Sequence, residues 1–246
     1  MRAVADLVRS DAVFSAEVLR LANSAILQMR YEVVSILHAV SVLGMEKLRA
    51  LVLTIGMRDV LRGSRQAGLI KICWRHNLAT ALACELLADA WWLDRSLAYT
   101  AGLLHDIGRL ALVITNPPRY MELLRETAGD EAALVLSERR VFGMDSAEAA
   151  QWLWDEWNLP LSLRDSSQSH HHPALTPGSV ESLVAFGCEA ADLAGFSVSG
   201  PAQVWNADEL QSRLPQQQSP LSAAIVAELG ELLPYKINLF ECEFLG

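Results

Sequence analysis

Three features of the sequence predict an all-α fold. Apolar residues recur at helical rather than alternating spacing through nearly every segment. Residues that start and stop helices stand where these periodic runs begin and end. No two runs pair as strands, and no internal repeat is visible.

The elements follow in order. Asp11 caps a helix in which Val13, Ala16 and Leu19 lead to Leu21-Ala22-Asn23-Ser24. Val33, Ile36, Leu37, Val40 and Leu43 make the apolar face of a second helix, which Gly44 ends. Leu48, Leu51, Val52 and Ile55 face a third. Gly63 and Gly68 bracket a loop, and a long helix runs from Leu69 to Ala90, followed by Trp91-Trp92. A central helix is expected from near Asp94, through His105-Asp106, toward Ile114. Asn116-Pro117-Pro118 stops it and starts the next, since proline fits a first helical turn. Gly129 separates that helix from one ending at Val141-Phe142-Gly143. Asp145 and Glu148 read as a capping box opening a helix over Ala147 to Trp157. Ser169 to Pro173 is a loop, Val180 to Ala194 a helix, and the tail ends in an amphipathic helix near Leu221 to Leu233.

Composition narrows the function. Of the 246 residues 52% are hydrophobic and 20% charged, enough to bury a core. A net charge of -9 argues against nucleic acid, whose phosphates need massed Lys and Arg, but leaves room for a small phosphorylated ligand. Cys73, Cys84, Cys188 and Cys242 form no CxxC, so they read as buried free thiols in a reducing compartment. The N-terminus lacks a signal-peptide core, and charge interrupts each apolar run before bilayer length. The expectation is a cytoplasmic protein with no membrane segment.

The stretch Ala101-Gly102-Leu103-Leu104-His105-Asp106-Ile107-Gly108-Arg109-Leu110 sets a His-Asp pair in apolar surroundings with a glycine on either side. Packing alone does not call for that pair. His76, His105, Asp106 and Asp192 are candidate ligands of one divalent ion, Mn, Fe, Zn or Mg. Adjacent helical residues diverge by about 100°, so His105 and Asp106 share an ion only at the helix flank. Arg109, His170 and His171 are candidate ligand-binding groups. Each has a plainer role: His76 as a satisfied buried side chain, Asp106 as a cap or partner of Arg109, Asp192 and His170 to His172 as solvated groups, His38 as packing or edge. Trp152, Trp154 and Trp157 cannot share one helix face, so at least one ring meets solvent or another surface.

The motifs together resemble the HDOD domain, the HD-related output domain of bacterial signalling proteins. Val18-Leu19-Arg20-Leu21-Ala22-Asn23-Ser24-Ala25 is similar to its first signature, and Ser35-Ile36, Ala39-Val40, Leu43-Gly44 and Leu48-Arg49 to its second. Trp74-Arg75-His76 and Ala101 to Gly108 match the Trp-x-His and His-Asp motifs. Glu138, Phe142-Gly143, Asp145, Trp157 and Leu159-Pro160 follow in order. The resemblance covers roughly residues 3 to 196. It implies a multi-helix fold with an N-terminal helical portion over about 1–62 and an HD-like helical core over about 69–196, together making a domain over 1–196. Residues 197–246 are then a C-terminal extension. The resemblance also implies that the chain starts late relative to a full domain.

The sequence departs from the family pattern in places. Asp145-Ser146 stands where Asp-His is usual, and Gly108-Arg109 where Gly-Lys is usual. The Gly-Tyr-Pro of related cyclic-di-GMP phosphodiesterases is missing after His172. The resemblance therefore implies a non-catalytic signal-transduction output or scaffold module, with no cofactor, that binds a protein partner or small ligand. The alternative is a metal-dependent phosphohydrolase acting on a nucleotide or cyclic dinucleotide.

Overall fold

The structure, a computed structural model, describes Val18, Ala22, Val33, Leu48, Thr176 and residues 35–44, 67–156, 178–199, 205–214 and 220–244. Every regular element among the described residues is helical, and none is a strand. The chain divides into two compact units, Met1–Val60 with Glu243–Gly246, and Leu61–Cys242.

In the first unit residues 36–44 are helical, and Gly44 takes the left-handed φ of +71° that suits glycine at a helix end. Val33, Ala39, Val40 and Leu43 are buried, while His38 is exposed. Of the predicted first and third helices only Val18, Ala22 and Leu48 are described; all three are helical and buried.

The second unit is built on α1 (Ala67–Leu87), whose residues 76–84 are buried without a break. A helix buried on every side has to be apolar all round, which explains its lack of a polar face. A short 3-10 turn, Asp89–Trp91, ends it; Trp91 is buried beside Phe186 while Trp92 is exposed. Then come α2 (Arg95–Leu104), α3 (Ile107–Thr115), α4 (Pro117–Thr127), α5 (Glu131–Phe142) and α6 (Ser146–Glu156). After the undescribed segment stand α7 (Val180–Ala191), a π-helical turn (Asp192–Phe196), α8 (Ala207–Ser212) and α9 (Pro220–Phe244). α9 extends well past the expected end at Leu233.

Side-chain caps fix these boundaries. Asp94, Asn116, Asp130, Ser179 and Asn206 each accept from a backbone N–H three residues on. The expected capping box is present: Glu148 N–H donates to Asp145 Oδ1 at 2.8 Å, and Asp145 N–H to Glu148 Oε2 at 2.9 Å.

The central helix does not run through His105-Asp106 as expected. α2 ends at Leu104, Asp106 leaves helical geometry at φ -115° and ψ 31°, and α3 starts at Ile107. His105 Nδ1–H donates to Gly102 O at 2.7 Å, the carbonyl that a continuing helix would offer to Asp106 N–H. The flanking glycines give the break its use. A Cβ on Gly102 would lie 2.8 Å from Ala81 Cα, and one on Gly108 would lie 1.9 Å from Ser146 O. α2 thus seats at backbone distance on α1, and α3 on α6.

Among the described residues one stretch, Leu97–Thr115, is long and apolar enough to cross a membrane by length and composition, although the charges of Asp106 and Arg109 interrupt it as expected. It is 83% buried inside the fold and is broken at its centre by the His-Asp corner.

Candidate functional site

The corner at His105-Asp106 sends the two side chains to different partners. His105 reaches α1, where its Nε2 lies 3.2 Å from His76 Nε2. The ring centroids are 5.2 Å apart and the planes are tilted by 49°. α7 supplies the third member, with Cys188 Sγ 3.5 Å from His76 Nε2. One nitrogen from each histidine and the Cys188 sulfur all lie within 4.8 Å of one another, and all three residues are buried. Burial pushes the Cys188 thiol well above its ordinary range, with the Asp192 carboxylate adding to the effect.

The far side of the His76 ring is held as well. Its Nδ1 meets Phe196 O at 3.1 Å and Asp192 Oδ1 at 3.3 Å. The π-helical turn makes this possible. Gly195, at φ +88°, turns the chain so that the Phe196 carbonyl comes back to α1 and the Phe196 ring lies 5.2 Å from the Arg75 guanidinium.

Asp106 faces Arg109, with Oδ2 3.2 Å from Nε and both side chains buried. That contact is a charge pair rather than an aligned hydrogen bond, since Arg109 Nε finds no hydrogen-bond acceptor. Arg109 Nη2 donates to Glu131. Burial pushes the Asp106 carboxyl up to about 6, chiefly against the pull of Arg109. Burial opposes the Arg109 charge, but Asp106, Tyr120, Glu131 and Glu138 outweigh it and hold the guanidinium protonated. Glu138 closes this polar network: it accepts from Tyr120 Oη–H and, at 2.9 Å, from Ser146 N–H.

Of the residues singled out in the sequence, His76 and His105 come together, with Asp192 at the outer edge of His76. Asp106 and Arg109 pair with each other. His170 and His171 lie outside the described residues. Trp154 is buried and Trp152 is exposed, and Trp157 is outside the described residues. The residue that sequence reasoning missed is Cys188. Its one signal was a place four residues before Asp192, which puts the two on one helical face.

A fold that is helical throughout the described residues, with a buried His-Asp corner, is the class that these observations define. The chain belongs to the HDOD domain family, whose model matches residues 1–173. An HDOD domain protein of unknown function from Geobacter sulfurreducens has the same fold at a TM-score of 0.75, with 26% identity over 100% of this chain and 87% of that one. A candidate phosphohydrolase from Shewanella amazonensis SB2B matches at a TM-score of 0.66, with 27% identity over 99% of this chain and 86% of that one. An uncharacterized protein from Treponema pallidum (strain Nichols) is 25% identical over 181 residues. That match takes in 72% of this chain, and the chain spans 35% of that relative's length.

Proposed function

We propose that the chain is a non-catalytic signal-transduction module of the cytoplasm, a scaffold that binds a protein partner or a small phosphorylated ligand. The observation that carries this reading is the engagement of Asp106. A metal-dependent phosphohydrolase needs its carboxylate turned toward the ion and the scissile phosphate. Here it is spent on Arg109, which is itself held by Glu131 and so is not presented to a ligand. Burial supports the same reading, because His76, His105, Asp106 and Arg109 are each at most 5% exposed. Ser146 adds to it: the position where the family usually carries histidine gives its backbone N–H to Glu138.

The test is hydrolysis. The full chain is assayed with bis(p-nitrophenyl) phosphate and with a cyclic dinucleotide, in Mn, Mg, Zn or Fe(II). The expected rate equals that of buffer and is unchanged in His105→Ala. Turnover that needs a metal and disappears in His105→Ala overturns the scaffold reading. That outcome favours the second reading, a metal-dependent phosphohydrolase, which draws its support from the approach of His76 to His105.

A further inference from the structure

On both histidines one ring nitrogen faces an oxygen. His105 Nδ1 meets the Gly102 carbonyl at 2.7 Å, and His76 Nδ1 meets the Phe196 carbonyl at 3.1 Å. A carbonyl only accepts, so each Nδ1 carries the hydrogen of its neutral ring. Each Nε2 then presents a lone pair, and the two lone pairs point at one another across 3.2 Å. A positive centre between them is attracted to both. A shared proton satisfies the two nitrogens alone. The Cys188 sulfur lies 3.5 Å from His76 Nε2 as well, and all three donor atoms lie within 4.8 Å of one another, a convergence that a proton shared by the nitrogens does not require.

We propose that His76 Nε2, His105 Nε2 and Cys188 Sγ hold one tetrahedral transition-metal ion of the zinc class. Zinc–nitrogen bonds are about 2.0–2.1 Å and zinc–sulfur bonds about 2.3 Å. Spread at the tetrahedral angle, they set nitrogen about 3.3 Å from nitrogen and about 3.6 Å from sulfur. The observed 3.2 Å and 3.5 Å lie within a tenth of an ångström or so of both.

The donor chemistry points the same way. Two imidazoles and a thiolate suit zinc and its softer neighbours, while Mg and Ca ask for oxygen ligands. Asp192 contacts Nδ1 of His76, across the ring from Nε2, so it orients the ligand and raises its basicity without binding the ion. On binding, the Cys188 S–H bond breaks, a metal–sulfur bond forms, and the proton leaves to solvent; a dication deprotonates a coordinating thiol outright. The fourth position falls to water or to a donor outside this trio. The ion ties α1, the end of α2 and α7 together at one point, and the proposal stands whether or not the chain hydrolyses anything.

The test is a cobalt(II) titration of the metal-free full chain, with cobalt as the coloured stand-in for zinc. One equivalent per chain is expected, with the strong visible bands of tetrahedral cobalt and a near-ultraviolet sulfur-to-cobalt band. Zinc displaces the cobalt and raises Tm. Cys188→Ser loses the sulfur band, Cys73→Ser keeps it, and Asp192→Asn weakens binding about 10–100-fold. A wild-type chain that takes up no tetrahedral cobalt shares a proton only, and the proposal fails on that measurement without any variant. A sulfur band that survives in Cys188→Ser overturns it as well.

Discussion

The Asp106–Arg109 pair is what a single substitution tests most directly. Both groups are buried, so removing one leaves the other charged in a poorly solvating place. Arg109→Ala is expected to cost about 3–5 kcal/mol in urea denaturation. The double variant Arg109→Met with Asp106→Leu should recover most of that loss, because it leaves no wholly buried charge; Glu131, the other partner of Arg109, is partly exposed to water. A double variant no more stable than the single one would mean that the pair matters through shape rather than charge. Glu138 offers a pH test. Burial raises its pKa, with Tyr120 and the Ser146 N–H partly offsetting the shift. The folded chain therefore holds a proton that the unfolded chain has already lost. Its contribution to stability falls as pH rises from the ordinary glutamate range through the raised value, and is level above that. Glu138→Gln keeps an acceptor but no titration, so its stability relative to wild type should improve over that window. Parallel curves across a pH series of urea melts would remove Glu138 from the account.

At the scale of the element, the sequence disclosed helix ends far better than helix direction. Asp94, Asn116, Gly143 and the Asp145–Glu148 box act through neighbours three or four residues away, so their signals are local and were legible. The break at Asp106 was not. It depends on Ala81 and Ser146, which lie 21 residues before Gly102 and 38 after Gly108 and cannot be read from periodicity. The site divides in the same way. His76 and His105 were visible as motif residues, whereas Cys188 meets His76 across 112 residues of sequence. The break predicts unequal glycines. Gly108→Ala forces a methyl group into the α6 backbone, and an overpacked core typically loses about 1–3 kcal/mol, with a rigid backbone obstacle at the upper end. Gly68→Ala, also helical but with nothing within 4 Å, should be neutral or gain about 0.4–1 kcal/mol. Thermal melts of the two variants settle the point, and equal losses would mean that the close approach of α3 to α6 is not needed.

For the whole molecule the open matter is where the domain stops. Family resemblance sets residues 197–246 apart as an extension, and the family model matches residues 1–173. Packing nonetheless groups Leu61–Cys242 in one unit. On α9, Val226, Leu229, Leu233 and Ile237 are each wholly buried at helical spacing, and a Cβ on Gly230 would lie 2.7 Å from the Trp205 ring. Glu241 near the end of α9 reaches Lys71 and Arg75 on α1, each at 3.3 Å. Burying an aliphatic side chain contributes roughly 1.5–3 kcal/mol, so the four contribute about 6–12 kcal/mol as an upper bound. That is the order of the stability of a whole domain, about 5–15 kcal/mol. A chain ending at Ser199 is therefore expected to lose its cooperative thermal transition, or to melt far below the full chain, in calorimetry. An unchanged Tm would establish the tail as an appendage. A lost transition would make α9 part of the body that holds α1, and with it His76, in place.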